Sequence, residues 1–313
     1  MVKGETGGTL LPVAAAFHAG EPGRGRLPGV RRRIASAAVL GVMSCLSVLP
    51  LRLEGGDSAG GLPALTGAAL QREAKRWNCT NGEFLLISVR TGDVLAHSVI
   101  GNPPEFMAPM SMVKPLVIAA ALRAGVVGAD TEIDCLDGEI VVGGRTFRDM
   151  RGYGRQPVRE ILKARGNIGT IRIAQLLGKE KLLAALAEFG IPVPAGELSE
   201  AEFAALALGL NCRVTAGQLT AAWRKLSRMS PAVLRLLAAG SCAGPLGSAS
   251  AATVRLPGIQ YSCCIGFFPS DRPEFLLLIR LGGNVGYFYG GVVAAPAWKR
   301  FVETLPAPAG GIR

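Results

Sequence analysis

A hydroxyl and an amine lie one helical turn apart in the stretch Ser111-Met112-Val113-Lys114, which the apolar run 116–122 follows after a proline. Side chains at positions i and i+3 share one face of a helix, so Lys114 is placed to take the proton of the Ser111 hydroxyl. The chain contains only two histidines, which leaves little material for a serine–histidine–aspartate triad. The stretch therefore predicts Ser111 as a nucleophile and Lys114 as its base; the alternative is an N-capping serine and a solvated lysine.

The composition excludes some classes of function. The chain of 313 residues is 49% hydrophobic with a mean hydropathy of +0.34, which is high for a wholly water-soluble protein. The formal net charge of +11 favours an anionic partner, but the basic residues are scattered and aromatic residues make up only 6%. Nucleic-acid sites concentrate basic and stacking side chains, so the sequence predicts a membrane or an anionic polymer as partner and no nucleic acid.

The N-terminal region has the pattern of a membrane-targeting segment. Residues 1–33 are rich in glycine, proline and arginine and are predicted to form a disordered, basic cytoplasmic tail. Residues 34–51 form an apolar stretch behind this positive flank, which is typical of an uncleaved signal anchor with the following chain exported. Two alternatives stay open: a cleaved signal peptide and a buried helix of a soluble domain.

The remaining chain is predicted to form one domain. Residues 52–64 contain a glycine-rich flexible linker, residues 65–306 the domain, and residues 307–313 a tail. The seven cysteines follow no metal-ligand spacing, so the sequence predicts no metal site. It leaves open whether these cysteines pair in an exported domain or stay free and buried as small apolar side chains.

The order of the predicted elements indicates the fold class. Residues 83–89 and 94–99 are β-rich around a turn, which predicts a hairpin in which His97 is a strand residue without a catalytic role. Helical periodicity follows in the segments 112–124, 158–163, 168–177, 179–189, 200–208 and 216–226. The domain closes with two apolar strands and a helix at residues 261–268, 274–281 and 295–305. This order predicts an α+β fold with a sheet from both chain ends and an all-helical insertion.

Several local motifs occur in a fixed order between residues 83 and 305. They are Ser111-Met112-Val113-Lys114, Asn167-Ile168-Gly169, Leu208-Gly209-Leu210-Asn211, Thr215-Ala216-Gly217-Gln218-Leu219 and Tyr289-Gly290-Gly291. In this order they resemble the transpeptidase domain of the class B penicillin-binding proteins, the division- and elongation-type serine acyltransferases. The resemblance implies the penicillin-binding transpeptidase and serine β-lactamase-like fold, with an antiparallel sheet. It also implies a single-pass protein of the bacterial inner (cytoplasmic) membrane whose main domain is exported.

Two motifs depart from the family pattern. Arg165 replaces the serine of the S-x-N motif that ends at Asn167, so the hydroxyl that the family uses as a proton relay is missing. The K-T-G motif corresponds best to Pro245-Leu246-Gly247, and no lysine or arginine lies between Arg235 and Arg255. The family uses the lysine and threonine of this motif to bind the substrate carboxylate, and neither replacement side chain donates a hydrogen bond.

The resemblance implies a role for each residue that matches a motif. Ser111 is expected to be acylated with Lys114 as base, and Asn167 to position the substrate. The backbone N–H groups of Ser111 and Ser248 are expected to form the oxyanion hole, where Gly247 permits close backbone approach.

Arg165 leads to a hypothesis of its own. The second and third motifs face each other across the family's cleft, so a long cation on one can replace the cation that the other has lost. Arg165 is therefore predicted to bind the substrate carboxylate; the alternative is a solvated arginine at the rim of an inactive site.

Three functions are compatible with these residues. The first is a membrane-anchored penicillin-binding protein, favoured by the intact Ser111 and Lys114. The second is a catalytically impaired homologue that serves as a binding module of the envelope growth machinery, favoured by Arg165, Pro245 and Leu246. The third is a β-lactam sensor or β-lactamase, for which the chain has no water-activating glutamate motif. The predicted partners are a peptidoglycan stem peptide or a β-lactam, the membrane and other envelope-synthesis proteins, and no cofactor is expected.

Overall fold

The strands come from two widely separated parts of the chain. The structure is a computed structural model that describes residues 61–239, 247–283 and 289–305. Its strands are β1 Asn81–Ser88, β2 Val94–Ile100, β3 Glu132–Asp134, β4 Glu139–Val142, β5 Arg145–Arg148, β6 Arg155–Pro157, β7 Ser248–Leu256, β8 Ile259–Phe268 and β9 Phe275–Gly283. Its helices are α1 Leu62–Trp77, α2 Lys114–Arg123, α3 Val158–Ala164, α4 Asn167–Leu177, α5 Lys179–Phe189, α6 Glu200–Ala207, α7 Ala216–Met229, α8 Pro231–Ala239 and α9 Ala294–Glu303. A 3-10 helix, Met110–Met112, precedes α2.

Within the described residues, five strands form one antiparallel sheet in the order β2-β1-β9-β8-β7. β1 pairs with β9 along its whole length, with Phe84 opposite Ile279, so the first hairpin and the last strands share one sheet. The predicted α+β fold, with an antiparallel sheet formed from both chain ends, is confirmed.

Alternate residues of β1 belong to two different cores. Phe84 and Leu86 belong to a core that α1 and α9 complete, whereas Leu85 and Ile87 belong to the core of the helical part. Successive side chains of a strand point to opposite faces, which explains why β1 carries six consecutive buried residues. The sheet therefore separates the two cores.

α2 lies inside the helical part of the domain. Its residues Lys114 to Ala121 are all buried, and it packs against α4 and α5. A helix that is apolar on every side is stable only when it is surrounded by protein. The lysine at its first position is therefore carried into the interior.

The predicted helices and strands are confirmed, with ends that differ by at most three residues. β7 was expected only from the position of the K-T-G motif, without its bounds. Four short strands, β3 to β6, and the helices α1 and α8 were not predicted, so the insertion between the parts of the sheet is not all-helical as expected. Strands of three or four residues show too few repeats for a period of two to be recognised. α1 begins at Leu62, three residues before the predicted start of the domain.

Other predictions concern residues outside the described ranges. These are the tail 1–33, the apolar segment 34–51, residues 52–60 of the linker and the tail 307–313. The prediction of a flexible linker up to residue 64 is wrong at its end, because residues 62–64 already form the first turn of α1. In the described part of the chain, no helix has both the length and the apolar character needed to cross a membrane. Four of the described cysteines are free thiols, Cys79, Cys135, Cys212 and Cys263, and all of these except Cys79 are buried.

Candidate active site

Ser111, the candidate nucleophile, lies in a tight turn, Met110–Met112 (the nucleophile turn), which is supported by two other parts of the fold. Ser111 is the middle residue of the 3-10 helix. Met110 before it has a φ of 51°, a positive value that is uncommon for residues other than glycine and asparagine. The Met110 N–H donates to the Gly209 carbonyl at 3.1 Å. Trp223 of α7 donates through Nε1 to the Met112 carbonyl at 2.9 Å. These bonds fix the backbone on both sides of the serine.

The Lys114 amine is buried and fixed by two acceptors. The residue is 2% exposed, and its Nζ donates to the Arg165 carbonyl and to Asn167 Oδ1, both at 2.5 Å. Burial lowers the pKa of Lys114 from 10.5 to about 7; Asp149 opposes this change and Arg165 contributes to it. A large fraction of this amine is therefore neutral near pH 7, which is the form that accepts a proton.

The predicted contact between the serine and the lysine is not formed directly. Among the described side chains, no hydrogen bond joins Ser111 Oγ to Lys114 Nζ, and the lysine bonds instead to the second motif. Hydrogen bonds of catalytic groups are often long in a ligand-free site and shorten in the complex. The one-turn spacing still places both residues at the start of α2.

Asn167, the first residue of α4, is bound on both its backbone and its side chain. Its Nδ2 donates to the Arg148 carbonyl at 2.5 Å, and its backbone N–H donates to the Asp149 carboxylate at 2.5 Å. Because Nδ2 bonds to a carbonyl, the amide oxygen Oδ1 faces Lys114. Sequence patterns assign no role to Asp149, since an acid eighteen residues before Asn167 gives no local capping signal.

Arg165 occupies an unusual backbone position beside this site. It ends α3 with a φ of 56° in the left-handed region, where glycine or asparagine is the common choice. Its carbonyl accepts from Lys114, the residue is half-buried, and its guanidinium has no hydrogen-bond or ion-pair partner within the described ranges. The replacement of the family's serine thus places a cation next to the Lys114 amine.

β7, an edge strand of the sheet, runs beside the nucleophile turn. Ser250 Oγ donates a hydrogen bond to the Ser111 carbonyl at 3.4 Å. The Ser248 side chain is buried and points to the Leu234 carbonyl, so only its backbone remains for the predicted oxyanion role. A side chain at Gly247 would clash with Trp298 of α9 and with the Phe267 carbonyl of β8, so the close approach at this glycine is to these two elements. Pro245 and Leu246 lie outside the described residues.

His97 has no part in this arrangement. His97 is confirmed as a strand residue of β2, which lies at the opposite edge of the sheet from β7. Its Nε2 is 2.9 Å from Glu83 Oε1, and Glu83 forms a buried ion pair with Arg280. His18 lies outside the described residues.

Gly209 is predicted to be required for the shape of the nucleophile turn. It has a φ of +70°, and a Cβ there would lie 2.7 Å from both N and O of Met110. Gly209→Ala should therefore lower the free energy of unfolding by more than about 1 kcal/mol and displace Ser111. Gly125→Ala is the matched control, since Gly125 has a φ of +68° but a Cβ there would meet no atom within 4 Å. Urea unfolding of both variants measures the difference, and equal losses would contradict a steric role.

Two solved structures share this fold. A peptidoglycan glycosyltransferase from Burkholderia ambifaria aligns with a TM-score of 0.69 at 18% identity, over 77% of this chain and 93% of that one. The transpeptidase (TP) domain of penicillin-binding protein 3 from Burkholderia pseudomallei aligns with a TM-score of 0.67 at 18% identity, over 77% and 92%. The protein therefore contains an α+β domain with the fold of penicillin-binding transpeptidase domains.

The sequence comparisons find the same kind of domain. Residues 82–234 match the family model of the penicillin binding protein transpeptidase domain. The peptidoglycan D,D-transpeptidase FtsI of Escherichia coli (strain K12) is 26% identical over 129 residues, which cover 36% of this chain and 22% of that protein. The probable peptidoglycan D,D-transpeptidase PbpC of Pseudomonas aeruginosa is 21% identical over 308 residues, 74% of this chain and 54% of that protein.

The chain thus spans between about a fifth and about half of the length of these relatives. The match over residues 82–234 confirms the resemblance to penicillin-binding transpeptidase domains that the motifs indicated.

Proposed function

We propose that the chain is a membrane-anchored penicillin-binding protein of peptidoglycan synthesis, which acts like a D,D-transpeptidase through an acyl-enzyme at Ser111. The observation that carries this proposal is the Lys114 amine. It is buried one helical turn from Ser111, burial lowers its pKa to about 7, and two acceptors hold it in place. An interior lysine without a function would be a costly residue to bury.

In the proposed reaction, neutral Lys114 accepts the hydroxyl proton of Ser111 while Oγ attacks the carbonyl carbon of the substrate amide. The C–N bond of the stem peptide or of the β-lactam ring breaks, its nitrogen takes up a proton, and an ester links the acyl group to Ser111. With a stem peptide, an acceptor amine or water then attacks the ester and releases the serine. Asn167 positions the substrate.

Backbone N–H groups are proposed to stabilise the oxyanion of this reaction. The Met110 and Met112 N–H groups already donate to the carbonyls of Gly209 and Pro109. The Ser111 N–H has no such partner in the part of the chain that the structure describes. We assign it to the oxyanion together with the N–H of Ser248, at the start of the neighbouring strand β7.

The proposal places the domain next to a membrane. The apolar segment 34–51 behind a run of three arginines is assigned to a single-pass anchor in the bacterial inner membrane, with the domain exported. A stem peptide or a β-lactam is the proposed ligand, and other envelope-synthesis proteins are proposed partners.

A second candidate function is a catalytically impaired homologue that binds a partner or a glycan. The observation that favours it is the sequence Pro245-Leu246-Gly247 at the third motif, together with Arg165 at the second. Loss of two charge-assisted or polar donors to a substrate carboxylate weakens its capture by about two to four orders of magnitude.

One experiment separates the two functions. The purified full chain is incubated with a fluorescent penicillin, and intact mass measures the covalent adduct over a range of ligand concentrations and times. We expect a single adduct whose mass increase equals that of the intact penicillin. No adduct at high ligand concentration, from protein shown to be folded by circular dichroism, would favour the impaired homologue.

Arg165 is predicted to bind the carboxylate of the ligand. Arg165→Ala should slow acylation by a carboxylate-bearing penicillin about 10- to 100-fold, because one charge-assisted hydrogen bond contributes roughly 1.5–3 kcal/mol. The measurement is the second-order acylation rate, determined with the same penicillin and with its methyl ester.

The ester is the chemical control for this prediction, because it lacks the negative charge but keeps the reactive ring. The effect of Arg165→Ala should nearly vanish with the ester. Arg159→Ala is the matched variant, since Arg159 is an exposed arginine on the same helix. An equal loss of rate with acid and ester would show that Arg165 has a structural role only.

A further inference from the structure

Asp149 forms a cap on α4 from a distant part of the chain. It follows β5, and its carboxylate accepts the N–H groups of Asn167 at 2.5 Å and of Ile168 at 3.3 Å. The residue at the N-cap of α4 itself is Gly166, which offers no side-chain acceptor. Carboxylates satisfy the free N–H groups of a helix start and interact favourably with its dipole.

The residue before Asp149 completes the same clamp. The Arg148 carbonyl accepts Asn167 Nδ2 at 2.5 Å, so two successive residues bind both the backbone and the side chain of Asn167. With its N–H and Nδ2 occupied, Asn167 directs its Oδ1 to the Lys114 amine. A continuous chain of hydrogen bonds therefore runs from Asp149 through Asn167 to Lys114.

On the basis of the proposed function, we propose that Asp149 is a positioning residue for the acylation of Ser111, because it fixes Asn167 and, through it, the Lys114 amine. The role follows from three hydrogen bonds of 2.5 Å that connect the end of β5, the start of α4 and the start of α2. A misplacement of about 1 Å in such a site can cost on the order of 100-fold in rate.

The charge of Asp149 supports this role. Asp149 raises the pKa of Lys114, whereas burial and Arg165 lower it. Within the described ranges, Asp149 and Arg165 are the charged groups that act on the amine. Asp149 also faces the Cys135 thiol, whose pKa burial raises to about 11 with a further contribution from Asp149. A neutral residue at position 149 therefore lowers the pKa of Lys114 further below its usual value.

The test compares Asp149→Asn with the wild-type full chain. We expect the acylation rate on the alkaline plateau to fall about 10- to 100-fold. Because less negative charge lowers the pKa of the base, the acidic limb of the pH–rate profile should also move to lower pH. A cap with a purely structural role would lower the folded fraction or the rate at every pH and leave the limb where it is.

The controls separate charge, capping and folding. The Asp134 carboxylate also accepts a backbone N–H, that of Leu136 at 3.0 Å, so Asp134→Asn removes the same charge from a similar contact. It should change neither the acylation rate nor the pH of the acidic limb. Asp149→Ser keeps an N-capping side chain without charge and should move the limb as Asp149→Asn does. If Asp149→Asn does not fold, Asp149→Ser takes its place in the test. An acidic limb at the wild-type pH, together with a wild-type rate on the alkaline plateau, would overturn the proposal.

A ligand-free measurement distinguishes this proposal from the proposed function. Titration of the Lys114 ζ-amine by NMR, with Lys114→Met to assign the signal, should give a lower midpoint in Asp149→Asn than in the wild type. A lower midpoint in a chain that forms no penicillin adduct would reject the proposed function and keep the link between Asp149 and Lys114. An unchanged midpoint would reject that link whether or not the chain is acylated.

Discussion

Ser111→Ala is expected to abolish the covalent adduct with a fluorescent penicillin, by at least about 10⁴-fold in rate. The reason is chemical: alanine has no oxygen to form the ester, and the backbone N–H proposed for the oxyanion remains in place. Intact mass and the fluorescence of the denatured protein band measure the loss. Since Ser111 is only partly buried in its turn, the folded state should be retained, and its thermal unfolding should show this.

Two serine variants serve as controls for this result. Ser250→Ala removes the hydroxyl next to the Ser111 carbonyl, and Ser227→Ala removes a hydroxyl that bonds within α7. Both should keep the adduct, Ser250→Ala at a reduced rate at most. A persistent adduct in Ser111→Ala, mapped by peptide digestion to another residue, would reject Ser111 as the nucleophile.

Lys114→Met is the variant with the second-largest expected effect. Methionine fills the buried site with an unbranched chain but cannot accept the proton of Ser111. We expect the acylation rate to fall about 10²- to 10⁴-fold, the usual contribution of a general base. In the wild type, the rate should rise with pH through a midpoint at about 7, where the amine becomes neutral. Loss of this midpoint in Lys114→Met would identify the lysine as the titrating base.

The same variant has a consequence for stability. The pKa of Lys114 is about 7 in the folded chain, against 10.5 as its usual value. Between these values the unfolded chain binds more protons than the folded chain, so the contribution of Lys114 to stability rises with pH in this window. As pH falls from 10.5 to about 7, the contribution of Lys114 to the free energy of unfolding decreases by up to about 1.4 kcal/mol per pH unit.

Urea unfolding at several pH values between 7 and 10 measures this contribution. The free energy of unfolding should rise more steeply with pH in the wild type than in Lys114→Met. Tyrosines and cysteines that titrate in the same range affect both proteins equally, so the difference between the two curves isolates the lysine. Parallel curves would indicate that Lys114 is charged in the folded chain.

Many core residues of the domain could be predicted from the sequence, because buried positions recur with the period of a helix or of a strand. The buried run of β1 and the apolar face of α7 predict a strand and a helix without knowledge of their partners. The capping box of Thr215 and Gln218 fixes the start of α7 in the same local way. Pairing of β1 with β9, in contrast, joins residues about two hundred positions apart. The order of the elements predicted a sheet from both chain ends, but no local period specifies which strands of that sheet are neighbours.

The sequence alone determined the spacing of the proposed nucleophile and its proposed base. Ser111 and Lys114 are three positions apart, and the helical period places such residues on one face whatever surrounds them. Only the tertiary structure decided how the amine is held. Its acceptors on Arg165 and Asn167 lie 51 and 53 positions away, the Asp149 cap lies on another element, and Gly209 packs against the backbone of the nucleophile turn. Such contacts depend on how helices and strands pack, and no local period encodes that packing.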